Sequence, residues 1–173
     1  MKKYDYSCDG MYFVTICAWK KACVFEDDII ASIIKEHWQG LPKRFNCIEL
    51  DEFLIMPNHI HFILFIVGAI HELPLQNESS FLHQKQRRQM MLPKIIGWFK
   101  MNCAKQINLY RKTPGYPVWQ RNYYEHIIRN EYELNRIRQY IIENQFKWDE
   151  DPENPKNTPV GAYCNTPLRQ YIK

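Results

Sequence analysis

No two of the six cysteines in this chain form a C-x-x-C pair, so neither a zinc-knuckle spacing nor a thiol-exchange motif is present. Cys8, Cys17, Cys23, Cys47, Cys103 and Cys164 are scattered instead, and the opening MKKYDYSCDG has acidic residues where a secretory segment would need an apolar run. The cysteines are therefore expected to be reduced thiols, and the protein cytoplasmic. Long hydrophobic runs are missing as well. FILFIVGAI, the longest charge-free one, falls far short of the roughly 20 residues needed to cross a bilayer, and no membrane role is expected. No internal repeat is visible. Nor does one sign of charge dominate: a formal charge of +4 and a pI near 8.7 suit a partner that carries phosphate without being basic enough to argue nucleic-acid binding alone.

What the chain has in excess is aromatic side chains. They make up 14% of it, with 11 Tyr and 5 Trp, against an ordinary 46% hydrophobic and 24% charged content, and such an excess serves either a core or the stacking of bases. At 173 residues the chain has room for one domain with a proper core and too little for two.

Along the chain, MYFVTICAW (11–19) is β-branched and aromatic, as a strand requires. Asp27 or Asp28 can cap a helix to about Leu41, in which Ile29, Ile30, Ile33, Ile34 and Trp38 recur at helical spacing before Pro42 ends it. CIELDEFLIM (47–56) predicts a second strand, Pro57 and Asn58 a short turn, and HIHFILFIV (59–67) a third strand paired antiparallel with the second. The polar stretch 68–91 is expected to be a long, functional loop. From Leu92 to about Tyr110, Ile95, Ile96, Phe99, Cys103 and Ile107 share one helical face. TPGYP (113–117) predicts a turn, VWQRNYYEHII (118–128) a strand, and Asn130 or Glu131 starts a helix to about Gln145. The order β-α-β-β-α-β-α predicts an α+β fold, a ferredoxin-like or RRM-like antiparallel sheet with helices packed on it and one added C-terminal helix. A domain over 1–148 is expected, followed by a Pro- and Asn-rich tail, 149–173, extended or partly disordered and dispensable for metal binding.

The stretch MPNHIHFILF (56–65) puts two histidines into a strand that otherwise reads as core. Side chains alternate along a strand, so His59, His61, Ile63 and Phe65 share one face and Ile60, Phe62, Leu64 and Ile66 the other. Imidazoles two residues apart project together, a geometry that could ligate one divalent ion. It equally suits two histidines that are merely hydrogen-bonded in a half-buried strand. In the last helix Leu134, Ile137 and Ile141 form the apolar stripe. Tyr140 stands at its edge, and Asn144 lies one turn later on the same side. Tyr140 and Asn144 can face one site together, although a tyrosine at a stripe edge is often only an amphipathic core residue.

Three blocks in order, PNHIHFI (57–63), KIIGWFK (94–100) and VWQRNYYEHIIRNEYELNRIRQYIIENQ (118–145), resemble the REP-associated tyrosine transposases, and more broadly the single-tyrosine HUH transposases that act on single-stranded DNA. The resemblance spans roughly residues 10 to 148. It implies that His59 and His61 bind Mg²⁺ or Mn²⁺, that Tyr140 is the nucleophile, and that a third ligand follows the tyrosine. The family pattern puts a glutamine four residues on. Here an additional Ile moves Gln145 to the fifth position and puts Asn144 at the fourth, so spacing favours Asn144 while Glu143, Gln145 and His126 remain rivals.

The implied activity is metal-dependent nicking and strand transfer on DNA hairpins through a 5′-phosphotyrosine, by a monomer or homodimer. Arg87, Arg88, Lys94, Lys100, Lys105 and Arg121 could hold phosphates, although the helix expected from Leu92, which carries the three lysines, can equally turn a solvated basic face outward. Trp98, Trp119, Tyr123 and Tyr124 could stack on bases or fill the core. Two other readings use the same residues. One is a hairpin-binding protein that has lost turnover, and the other a zinc hydrolase in which Tyr140 is structural.

Overall fold

The computed structural model describes residues 10–67, 91–151 and 154–157. Arg87 and Arg88, the loop expected over 68–91 except for Met91, which is already helical, and most of the tail lie outside the described residues. Four strands, β1 (Gly10–Cys17), β2 (Ile48–Ile55), β3 (His59–Ile66) and β4 (Tyr124–Ile128), form one sheet in the order β2-β3-β1-β4. All three pairings are antiparallel. Among the described residues three α-helices, α1 (Asp28–Arg44), α2 (Met91–Arg111) and α3 (Glu131–Asn144), complete the predicted α+β plan.

Alternation along the two central strands divides the molecule into layers. Tyr12, Val14 and Ile16 of β1 and Ile60, Phe62 and Leu64 of β3 point to one face, where they pack under α1 and α2 in the larger core. Phe13 and Ile63 point to the opposite face, where Leu134, Ile137 and Ile141 of α3 cover them. A strand apolar on both faces is thus required by a sheet with helices on both sides. His59 and His61 lie on the α3 face, in the part of β3 that α3 reaches with its last turn.

Local chemistry sets the helix starts. Asp27 caps α1 by accepting from the backbone N–H groups of Ile29 and Ile30 at 2.9 and 3.2 Å. Asn130 caps α3 by accepting from Glu133 N–H at 2.9 Å, while Glu133 reaches back to Arg129 N–H at 2.8 Å, a reciprocal box.

Two expectations fail at element boundaries. Pro42 does not end α1, which runs on to Arg44, with Phe45 N–H still donating to Leu41 O at 2.8 Å. Proline removes its own donor and crowds the preceding turn, but the last turn continues on the bonds that remain. The strand expected over 118–128 is ordered as a strand only at Tyr124–Ile128. Before it, Trp119 makes a single bridge to Ala18, and the chain turns so that Lys100 Nζ donates to the carbonyls of Gln120 and Arg121 at 2.6 and 3.2 Å.

Candidate active site

β3 begins at the Pro57–Asn58 turn, which is anchored from both sides: Ala18 N–H donates to Asn58 O at 2.7 Å and Phe25 N–H to Pro57 O at 2.9 Å. Asn58 is itself buried, and its Nδ2 donates to Lys21 O at 3.2 Å. That bond fixes the amide, so Oδ1 faces the His59 ring and accepts from Nδ1–H at 2.8 Å. His59 is thereby held as the tautomer whose Nε2 carries a lone pair. His61 reaches the same state by another route. Asn144 Nδ2 donates to its Nε2 at 3.0 Å, so its Nδ1–H is left to donate to Thr15 Oγ1 at 2.8 Å. Thr15 stands directly opposite His61 in the β1–β3 register.

Both rings are also held neutral. Burial, then the nearby Lys21 cation, pushes His59 down to about 3. Burial, then His59, pushes His61 well below its ordinary value. Two neutral imidazoles therefore aim Nε2 lone pairs at one another across 2.9 Å. Two acceptors so close repel unless a cation stands near both. Donors on adjacent corners of a magnesium octahedron are about 3 Å apart, so the pair fits such an ion. Among the described residues no three His, Cys, Asp or Glu side chains converge as a ready-made metal site, so a third ligand to an ion held by the pair would have to be of another kind.

α3 brings the remaining groups. Its apolar stripe docks on Phe13 and Ile63, which turns the buried Asn144 toward His61 and leaves Tyr140 at the stripe edge. Asn144 Nδ2 also donates to Tyr140 Oη at 3.2 Å. The Tyr140 ring meets His61 at a centroid distance of 5.6 Å and Phe13 edge-on at 6.1 Å. The amide nitrogen of Asn144 faces the pair here, and a half-turn of the same amide presents its oxygen. The rivals for the third ligand are engaged elsewhere. His126 Nε2 is 2.8 Å from Glu133 Oε1, Glu143 accepts from Lys147 and Gln139 at 2.7 and 2.8 Å, and Gln145 is exposed past the end of α3.

The docking of α3 has a polar fastening at its other edge. At an irregularity in the β2–β3 register Asp51 turns toward α3, where Arg138 Nε donates to both carboxylate oxygens at 3.1 and 3.0 Å. Arg138 is 35% and Asp51 12% exposed, so water screens part of the attraction and a coupling of about 1 kcal/mol is expected. A double-mutant cycle of Arg138→Ala and Asp51→Ala in urea should return that value, and a coupling of zero would refute the fastening. The histidines add a pH effect. Their folded pKa values lie below the unfolded one, so the stability they contribute is full above about 6.5 and is lost as pH falls toward their folded values, at up to about 1.4 kcal/mol per pH unit for each. Urea titrations of chelator-treated protein at pH 7.5 and 5.5 should show a steeper loss in wild type than in a His59→Gln/His61→Gln chain.

The cationic residues are dispersed. Lys94 and Lys105 are exposed on α2, which covers the sheet face opposite the histidines, and Arg121 is exposed in the loop before β4. Lys100 holds that loop with its ammonium, and burial pushes it down to about 8. Trp119 is core, 4.9 Å from Phe25 and 6.1 Å from Phe99. Sequence reasoning missed Thr15 and Asn58. Thr15 is the one small hydroxyl residue of an otherwise apolar and aromatic strand, and the sequence marks Asn58 only as part of a turn. It also missed Asp151, whose Oδ2 lies 3.8 Å from His59 Nε2.

Comparisons with known proteins bear on this arrangement. An uncharacterized protein of Haemophilus influenzae is 36% identical over 162 residues, covering 87% of this chain and 88% of its own. A second Haemophilus influenzae protein, named as a candidate REP-associated tyrosine transposase, is 27% identical over 150 residues, covering 83% of this chain and 74% of its own. The solved structure of a REP-associated tyrosine transposase bound to a REP hairpin superposes with a TM-score of 0.51 at 17% identity, over 85% of this chain and 74% of that one. The likeness to that structure is one of fold. No family model matches the chain.

Proposed function

The chain belongs to the REP-associated tyrosine transposase family, and from that premise we propose that it nicks and rejoins single-stranded DNA at hairpin-bearing sites, with Tyr140 as nucleophile. The observation that carries the reading is the convergence of Tyr140, Asn144 and two Nε2-directed neutral histidines at one point of a single chain. His59, His61 and Asn144, through its oxygen, would hold a divalent ion, Mg²⁺ or Mn²⁺. Bound there, such an ion would offset the charge that builds on a phosphate's non-bridging oxygens.

The chain's own residues account for the rest. Asn58 fixes the tautomer of His59 and Thr15 accepts from Nδ1–H of His61, which keeps both Nε2 lone pairs directed at the site. Because the rings are neutral, the ligand set does not cancel positive charge at the phosphate. Tyr140 Oη, once its proton has gone to solvent, attacks phosphorus and the P–O3′ bond breaks. The departing 3′ oxygen takes up a proton, leaving a free 3′-OH and the 5′ end of the DNA esterified to Tyr140. The phosphoester is conserved, so attack by another 3′-OH reverses the step and joins strands. The acting unit is a monomer or a homodimer, working on DNA in the cytoplasm. The fold shared with a transposase solved on a REP hairpin supports a hairpin as the partner.

The test is incubation of purified protein with Mn²⁺ and single-stranded hairpin oligonucleotides from the source genome, followed by a denaturing gel. A covalent protein–DNA band is expected. Hairpins that bind in a native gel yet give no covalent band would overturn the nicking reading and leave a hairpin-binding protein.

A further inference from the structure

The chain does not run straight into β4. Thr15 stands opposite Tyr124, and three residues further along, Ala18 is bridged to Trp119. Between those two pairings one side supplies Ile16 and Cys17, and the other supplies Gln120 to Tyr123. The surplus must bulge outward at the β4 edge of the sheet, and bulges are common at sheet edges and beside reactive centres. Arg121 and Asn122, in the middle of this stretch, are both exposed.

Lys100 gives the bulge its shape. Its Nζ donates to the carbonyls of Gln120, Arg121 and Asn122 at 2.6, 3.2 and 3.4 Å, and its own carbonyl accepts from Trp119 Nε1–H at 3.1 Å. The three donors of an ammonium are thus matched by three successive carbonyls, which a pleated strand would point alternately to opposite sides. Burial makes this a costly place for a cation, and the compensation comes from peptide dipoles instead of a carboxylate. Because the bonded carbonyls flank Arg121, they fix the direction in which its side chain leaves the backbone.

The bulge lies at the end of the sheet that holds the histidines. Thr15 pairs with His61 on one side and Tyr124 on the other, so β4 begins two strand spacings, about 10 Å, from His61. Gln120 N–H donates at 2.9 Å to the carbonyl of Cys17, whose partner on β3 is His59. Phe13 links the two places, its ring stacked on His61 at 5.5 Å and edge-on to Tyr140 at 6.1 Å and to Tyr124 at 6.3 Å. A single strand of DNA with one phosphate at Tyr140 therefore has its neighbouring phosphates in range of the bulge.

We propose that Arg121 holds a phosphate of the single-stranded segment next to the scissile bond, and that Lys100 is the positioning residue that aims it. The inference rests on the single-strand reading given above. An arginine on a bulge already fixed in shape loses less freedom on binding than one on a loose loop, and that difference is what Lys100 contributes.

The experiment is a set of binding isotherms by fluorescence anisotropy for a hairpin oligonucleotide from the source genome, with and without its single-stranded flank. Full-length wild type, Arg121→Ala, Lys100→Met and the double variant are compared, with a thermal melt of each. Both single variants are expected to bind the flanked hairpin several-fold more weakly and the bare hairpin as wild type does. Arg121→Ala should also lower the slope of log affinity against log salt by about 0.7, the contribution of one phosphate on a single strand. The double variant should be no weaker than Lys100→Met, since an arginine no longer aimed has little left to lose. Additive effects would overturn the positioning role, and with a lowered melting temperature they would leave Lys100 as a clamp for the fold alone. Where Lys100→Met melts below the assay temperature, Lys100→Arg, which keeps the donors in an altered geometry, takes its place in the cycle. Wild-type affinity and slope in Arg121→Ala would overturn the proposal whatever Lys100 does, as would a wild type that binds flanked and bare hairpins equally. Failure of the nicking reading shows separately, as flank-dependent binding without a covalent band.

Discussion

Tyr140→Phe is expected to remove the covalent protein–DNA band altogether, a loss of at least about three orders of magnitude in adduct formation, while hairpin binding persists. The substitution deletes one oxygen and little else. Phenylalanine keeps the ring that packs edge-on against Phe13 and lies against His61, so the docking of α3 should survive. The loss on the protein side includes the acceptor that Asn144 Nδ2 reaches at 3.2 Å, a bond worth about 1 kcal/mol or less in a half-exposed position. The melting temperature should therefore stay close to wild type, and a native gel should show the hairpin still bound. Together these outcomes separate chemistry from folding and from recognition. An adduct that persists in the phenylalanine chain would mean another nucleophile, and the roles assigned to α3 would have to be abandoned.

The layers of the fold were legible because both periods are strongly written. The two faces of β3 are given by alternation alone, and the stripe of Leu134, Ile137 and Ile141 fixes which side of α3 is buried. The position of Tyr140 beside Asn144 follows from the same rotation, and the structure joins them by a hydrogen bond. What sequence did not disclose depends on contacts between distant segments. Nothing local to Lys100 says that the chain twenty residues later will present carbonyls to it. Thr15 is informative only when β1 is laid antiparallel against β3 in the observed register. Asp151 sits among several acidic and proline residues, a composition that signals a turn without saying what the turn will pack against. The strand expected from Val118 onward fails for a related reason. Its aromatic composition is used by Trp119 to fill the core between Phe25 and Phe99, which the extended ladder would not allow.

Alanine at His59 or His61 should weaken Mn²⁺ uptake and adduct formation together, with affinity falling by more than the roughly 10- to 100-fold that loss of an outer partner costs. Stability and metal binding can be told apart in these chains. Both rings are almost fully buried, so truncation leaves a cavity and strands the hydrogen-bonding groups of Asn58 or of Thr15 and Asn144, and some destabilisation is expected even in chelator. Mn²⁺ at a concentration that just saturates wild type should raise its melting temperature and leave those of the two alanine chains unmoved, because a ligand stabilises a fold only as far as it binds it. The two positions should also differ. His61 touches Thr15, Asn144 and the Tyr140 ring, so its loss frees the nucleophile's helix as well as one ligand, whereas His59 is tied to the Asn58 turn. Loss of His61 should therefore impair hairpin-dependent chemistry even at saturating Mn²⁺, and loss of His59 should be partly offset by raising the metal concentration. Wild-type adduct yields in either alanine chain, with an unchanged Mn²⁺ titration, would leave the pair as ordinary hydrogen-bonded core histidines and return the search for the reactive centre to the exposed surface.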